Sequence, residues 1–152
     1  MSAQGLEGLD HTVQVTHIWI NELDDRLQWN NKARSYRLLK AVLHALRDSL
    51  RVNEAVDLGA QLPALLRGAY YEQWRPATTP VKNRTVEDFL ARVNESFARD
   101  PIEESAQAVM AVFQLLSKKI TEGEIEDVRG CLPEPVRNIW PEPYRGPGSV
   151  RH

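Results

Sequence analysis

The chain has 152 residues, of which 42% are hydrophobic and 26% charged, a composition typical of one globular domain. Its formal net charge of −2 gives no overall bias toward nucleic acid or acidic lipid, and a single cysteine, Cys131, excludes an intramolecular disulfide framework. No segment approaches the ~20 consecutive apolar residues that a membrane helix needs, and residues 1–11 lack the basic and apolar regions of a signal peptide. We therefore expect a cytoplasmic protein with no membrane partner.

Apolar residues recur with the helical period through the first half of the chain. They predict a first helix over residues 13–27 and a second over residues 32–50, whose apolar side chains fall within roughly 100° of arc. A short third helix is predicted over residues 53–60. Pro63 then opens a fourth helix, which ends near residue 71.

The second half has clearer signals for the starts of its helices. Capping patterns are formed by Thr85 with Asp88, by Asp100 with the following Pro-Ile-Glu, and by Thr121 with Glu124. Pro133 again opens the last helix. Residues 75–84 form a polar linker broken by prolines between the halves. We expect four helices in each half.

The second half of the chain repeats the first at an offset of 70 residues without a gap, so that residues 15–74 align with residues 85–144. Identical pairs include Ser35/Ser105, Ala41/Ala111, Val42/Val112, Leu46/Leu116, Glu54/Glu124, Asp57/Asp127, Leu62/Leu132, Pro63/Pro133 and Arg67/Arg137. We therefore predict an all-α fold in which two tandem, pseudo-equivalent four-helix units bury their aliphatic faces against each other. This single domain would span residues 13–141, with flexible ends at 1–12 and 142–152.

Four segments of the chain resemble a known family. They are residues 38–47 (LLKAVLHALR), 58–76 (LGAQLPALLRGAYYEQWRP), 123–133 (GEIEDVRGCLP) and 138–141 (NIWP). With these segments the chain resembles the bacterial domain-of-unknown-function family 2267 over residues 15–141. The resemblance implies an all-helical cytoplasmic domain without an established activity, and it carries over no catalytic residues.

A polar trio occurs in both halves with its spacing kept. Its members are Glu54, Asp57 and Arg67 in the first half and Glu124, Asp127 and Arg137 in the second. The two acids of each trio lie on one face of the short third helix, and the arginine follows the Leu-Pro turn. One interpretation is a pair of related polar sites. We favour the other, an ion pair that holds two helices together around the turn in each half.

A basic stripe is present in the first half only. Its members, spaced three and four residues apart along the second helix, are Arg37, Lys40, His44, Arg47 and Arg51. Such a stripe is one way to bind an anion or a nucleic acid backbone. Because it lies away from the apolar face, we favour a solvated surface and regard nucleic acid as an unfavoured partner.

Aromatic residues follow the same repeat near the end of each half. Tyr70 and Trp74 are four residues apart, and Trp140 and Tyr144 keep that spacing with the identities exchanged. Paired rings at helical spacing are more typical of the end of a core than of a ligand pocket. We expect Tyr71 to be the exposed member of the group.

Sequence motifs for catalysis and cofactor binding are absent. The histidines lack the spacing of metal ligands, no phosphate-binding glycine loop or nucleophile elbow occurs, and no base is near Cys131 in sequence. We predict no metal, no cofactor, and a non-catalytic module for a small apolar ligand at the repeat interface or for a protein partner. A homo-oligomer stays open. The alternatives are an anion or nucleic-acid binder that uses the basic stripe, and an enzyme that uses a carboxylate or His44.

Overall fold

A computed structural model describes residues 5–142, and within that range the chain is all-helical without a strand. The helices are α1 (Glu7–Leu27), α2 (Lys32–Ser49), α3 (Val52–Ala60), α4 (Ala64–Tyr71), α5 (Val86–Asn94), α6 (Ser105–Lys119), α7 (Glu122–Cys131) and α8 (Glu134–Arg137). Two short 3-10 turns lie at Pro76–Thr78 and Glu95–Phe97. The predicted all-α fold is confirmed. Of the C-terminal end that we predicted to be flexible, residues 143–152 lie outside the described range.

Side chains next to the helix starts satisfy backbone N–H groups that have no partner inside the helix. The Asn31 side chain accepts a hydrogen bond from the backbone N–H of Arg34 at the start of α2. Thr85 and Asp88 form the complete capping box predicted for α5. At α7, the hydroxyl of Thr121 accepts from the backbone N–H of Glu124 at 3.4 Å, which is half of the predicted box.

Helix α1 begins at Glu7, so residues 7–12 are helical where the sequence predicted a flexible end. Glu7 and Asp10 lie in the first turn, where negative charge interacts favourably with the helix dipole. Leu9 in this segment and Val13, which follows it directly, are exposed. The apolar periodicity therefore missed the first turns, because they contact little of the core.

Helix α6 begins at Ser105, five residues after the predicted cap Asp100. The carboxylate of Asp100 does not cap a helix. It accepts hydrogen bonds from the guanidinium groups of Arg34 and Arg37 on α2. Asp100 therefore joins the two halves of the chain at its surface.

The core is built around α2 and α6, whose aliphatic faces are buried against each other and against neighbouring helices. The side chains involved are Leu39, Val42, Leu43, Leu46, Val109, Val112, Phe113 and Leu116. Helix α1 packs on α6 as α5 packs on α2, and α3 packs on α7. In the 70-residue register these are matching pairs of helices. The pattern agrees with the repeat, and superposition of the two backbones stays a prediction.

One side-chain contact recurs between the first two long helices of each half. The hydroxyl of Ser35 donates to Oδ1 of Asp24 at 2.7 Å, and the hydroxyl of Ser105 donates to Oδ1 of Asn94 at 2.9 Å. Asp24 and Asn94 occupy aligned positions in the repeat. The same polar contact thus fixes α1 against α2 and α5 against α6.

The polar linker over residues 75–84 is tied to α2. The backbone N–H of Val81 donates to the carbonyl oxygen of Asp48, and the buried amide of Asn83 donates to the hydroxyl of Ser49 at 2.7 Å. The Asn83 oxygen in turn accepts from Arg92 on α5. These bonds fix the position of the second half relative to α2.

Candidate functional site

The repeated arginines bind backbone carbonyl groups instead of the repeated acids. Arg67 donates to the carbonyl oxygens of Gly59 and Leu62, both at 2.9 Å. Arg137 donates to the carbonyl oxygen of Leu132 at 3.0 Å, the position equivalent to Leu62. Each guanidinium therefore donates to carbonyl groups where the preceding helix ends, and the oxygen of Gly59 also accepts from the backbone N–H of Leu62.

This arrangement corrects the ion pairs that the repeated trio predicted. Among the described residues, no ion pair joins the arginines of the trios to their acids, which are Glu54, Asp57, Glu124 and Asp127. The arginine acts within the turn between two helices, as expected for a packing role. The carboxylates of the two trios lie on α3 and α7, which pack on each other.

Glu54 on α3 and Glu124 on α7 lie on helices that pack on each other, and the negative charge of Glu54 acts on the Glu124 carboxyl. Each has one carboxyl oxygen, Oε2, that is buried without a hydrogen-bond partner. Burial is the largest cause that raises the pKa of the Glu124 carboxyl, and the negative charges of Glu54, Asp57 and Asp127 act in the same direction. Together these effects bring the pKa to about 7. The repeated acids thus form a cluster of like charge at the junction of the two halves.

The basic stripe of α2 does not form one exposed surface. Arg47 is 4% exposed and donates to the carbonyl oxygens of Tyr70 and Glu72, at 2.6 and 2.8 Å, and to the neighbouring Asp48. His44 Nε2 lies 2.6 Å from the carbonyl oxygen of Ala69. These two side chains hold the end of α4 against α2, so the predicted solvated stripe is interrupted at its centre.

The remaining members of the stripe also have internal contacts. Arg37 binds Asp100, and its hydrogen bonds hold the pKa of that carboxyl below its ordinary value. Lys40 lies over the ring of Tyr36, and Arg51 points toward the sulfur of Cys131 on α7. The geometry therefore disperses the cations over several contacts, which removes the support for a continuous anion-binding stripe.

A groove of about 430 Å³ opens between the α1–α2 connection and the segment that leads into α6. Its apolar lining comes from both halves and includes Leu27, Trp29 and Ile102, which are half-buried. Exposed Arg26 lies on the α1 side, and exposed Glu103 lies on the α6 side. A small molecule held here would contact a flat ring, aliphatic side chains and charges of both signs.

Arg34 fixes one wall of the groove, a role that the sequence analysis missed. Its guanidinium lies over the rings of Trp29 and Phe97, at 5.0 and 4.9 Å from their centroids. It also donates to the carboxylate of Asp100 and to the carbonyl oxygen of Pro101. The wall is therefore organised before any ligand arrives.

Comparison with family models gives one match, to the family described as "Uncharacterized conserved protein (DUF2267)", over residues 16–139. The chain belongs to the DUF2267 family. A search of curated proteins finds no match to it.

The aromatic residues of this DUF2267 chain belong mainly to the core. Tyr70 and Trp140, which are aligned in the repeat, are buried. The Tyr70 hydroxyl donates to the carbonyl oxygen of Ala55, and Trp140 stacks on Phe113. Core closure is thus confirmed at these two positions. Tyr144, the predicted neighbour of Trp140, lies outside the described residues.

Tyr71 is half-buried, which corrects our expectation that it is exposed. It contacts the rings of Tyr70 and Trp74. It also passes so close to Gly59 that a Cβ at that position would meet the tip of the tyrosine ring. The glycine was a usable signal for this close approach, since it lies inside a helix where it costs stability.

The described residues of the DUF2267 chain contain neither a metal-binding cluster nor a membrane-spanning helix. Within residues 5–142, no group of three His, Cys, Asp or Glu side chains is arranged to hold a metal ion. Every helix in the same range falls short of the length and apolarity needed to cross a bilayer. Cys131 is a half-buried free thiol beside Arg51. Among the described residues, the groove and the carboxyl pair are therefore the features that call for a functional explanation.

Proposed function

We propose that this DUF2267 protein is a non-catalytic cytoplasmic module that binds a small, flat, apolar ligand in the groove beside Trp29. The observation that carries the proposal is the groove of about 430 Å³ at the junction of the two halves, a volume within the range of small-molecule sites. Because its lining comes from both halves, a ligand there would also stabilise their association.

The corresponding space in the other half supports the choice of this groove. That space is lined by Arg37, Ser96 and Arg99 among other residues, and no aromatic ring contributes to the lining. Arg99 is aligned with Trp29 in the repeat. An aromatic ligand would therefore find a ring to stack on in the first groove and none in the second.

Charges at the rim favour a ligand that also carries a polar group. Arg26 on α1 is exposed beside the apolar lining, and Glu103 and Glu104 are exposed across from it. An anionic substituent near Arg26 would gain a charge-assisted hydrogen bond without burying the arginine. We expect an aromatic body with an acidic group to bind more tightly than the unsubstituted ring.

Anilinonaphthalene sulfonate, which is flat, apolar and anionic, is a suitable fluorescent probe for the proposal. We expect saturable binding of one molecule per chain. Gln107→Trp would fill the groove from α6, and affinity should fall about tenfold or more, equivalent to about 1.4 kcal/mol. Gln114→Trp is the matched control, because Gln114 is exposed on the same helix outside the groove.

Equal affinity in the two variants, or no saturable binding to the wild-type chain, would reject the groove. Native mass spectrometry of the untreated protein adds a second measurement. A retained small molecule that Gln107→Trp loses supports the proposal. A stable assembly whose formation Gln107→Trp blocks would instead show a protein partner at this surface.

A further inference from the structure

We propose that Glu124 gains and loses a proton at the α3–α7 contact, where Glu54 repels its charge, and so makes the junction between the two halves of the chain sensitive to pH. This inference goes beyond the proposed ligand binding and does not depend on the groove. The two residues are aligned in the repeat, and the helices that carry them pack on each other.

A missing hydrogen-bond donor is the geometric basis of the proposal. Oε2 of Glu54 and Oε2 of Glu124 are both buried, and neither accepts a hydrogen bond. An ionised carboxylate can only accept, whereas a protonated one carries an O–H donor. A proton on Glu124 would give this carboxyl group an O–H donor and remove one of two like charges at the contact.

Donors close to the pair are already engaged. Arg67 and Arg137 donate to carbonyl oxygens of their own turns. Tyr70 on α4 donates its hydroxyl to the carbonyl oxygen of Ala55. Arg51, just before α3, reaches across to α7, where its Nη2 lies 3.8 Å from the sulfur of Cys131.

The other charges that face the pair strengthen its preference for a proton. Asp57 on α3 and Asp127 on α7 are exposed acids that raise the pKa of Glu124, in the same direction as its burial and the charge of Glu54. These effects bring that pKa to about 7, from an ordinary value of 4.5. The proton would therefore be gained and lost near neutral pH.

The direction of the pH effect follows from this shift. A carboxyl group with a raised pKa in the folded state binds its proton more tightly folded than unfolded. The stability that it contributes is fully present below pH 4.5 and is lost as the pH rises through about 7. Above that pH, two unpaired carboxylates face each other, and the α3–α7 contact weakens.

Side-chain carboxyl NMR of the full chain tests the proposal directly. We expect a glutamate signal from the pair to titrate near pH 7 in the wild-type protein, and Glu54→Gln to lower the midpoint of Glu124 by about one pH unit. Glu126→Gln is the control, because Glu126 is an exposed acid on α7 outside the pair, and it should leave the midpoint in place. Titration of Glu124 below pH 5 in the wild-type chain would overturn the proposal.

Thermal unfolding supplies a second measurement, which is read against the double variant Glu54→Gln/Glu124→Gln. Relative to that variant, the wild-type chain should lose about 3 °C or more in Tm between pH 5.5 and pH 8.5. A difference in Tm that stays constant over this range would contradict a pH-sensitive contact. An unchanged Glu124 midpoint in Glu54→Gln would contradict the repulsion between the two carboxylates at this contact, even if Glu124 titrates near neutrality.

Discussion

The hydroxyl of Ser35 donates to Oδ1 of Asp24 at 2.7 Å, and both side chains are buried. Ser35→Ala removes this donor from a buried carboxyl oxygen, so we expect the free energy of unfolding to fall by about 1–3 kcal/mol. Ser105→Ala is the matched variant in the second half, where the acceptor Asn94 and the serine are only half-buried. Urea denaturation should show a smaller loss there, and equal losses would contradict the dependence on burial.

Arg67 provides a test of how the turn between α3 and α4 is held. Arg67→Ala leaves the carbonyl oxygen of Leu62 without its donor, whereas the oxygen of Gly59 still accepts from the backbone N–H of Leu62. We expect a loss of about 1–2 kcal/mol in the free energy of unfolding. Asp57→Asn should change it by less than about 0.5 kcal/mol, because Asp57 is an exposed residue with no ion pair to Arg67. A comparable loss in both variants would restore the ion pair as the explanation of the repeated trio.

Arg47 is the buried member of the basic stripe. Arg47→Met keeps much of the side-chain volume but removes the donors to the carbonyl oxygens of Tyr70 and Glu72, so the free energy of unfolding should fall by about 1–3 kcal/mol. Arg37→Met is the comparison and should cost less, because the Arg37 side chain is 41% exposed and its ion pair with the exposed Asp100 is screened by solvent. If chemical denaturation gave a similar loss of unfolding free energy for the two variants, the buried hydrogen bonds of Arg47 would not contribute more to stability than the exposed ion pair of Arg37.

His44 should make stability fall on the acid side. Burial lowers its pKa below the ordinary value of 6.5, so the folded chain favours the neutral ring. Its contribution to the free energy of unfolding is fully present above pH 6.5 and is lost as the pH falls through the folded pKa.

The variant His44→Gln isolates this effect, because the Gln amide can still donate to the carbonyl oxygen of Ala69. The difference in unfolding free energy between wild type and variant should decrease from pH 7 to pH 4, as followed by urea denaturation at each pH. Glu124 acts in the opposite sense but is present in both proteins, so it cancels in the difference. A difference that grows toward low pH would mean that the folded state prefers the charged ring.

Local sequence patterns were enough to predict the helical class, the ends of most helices and the capping box of Thr85 and Asp88. These features depend on residues within a few positions of one another, because the 3.6-residue period and the cap geometry are local. The sequence also predicted the aliphatic faces of α2 and α6, which are buried. The apolar period did not predict the start of α1, because the first turns of this helix contact little of the core.

The partners of the charged groups depend on tertiary packing and could not be predicted from local sequence patterns. An arginine near a helix end has both carbonyl oxygens and carboxylates within its reach, and the path of the turn gave Arg67 the carbonyls. Arg34 came to lie between Trp29 and Phe97 because the two halves meet there. Glu54 and Glu124 are 70 positions apart, and the packing of α3 on α7 sets their mutual repulsion. Periodicity tells which face of a helix is buried, but it does not encode which distant helix will cover it.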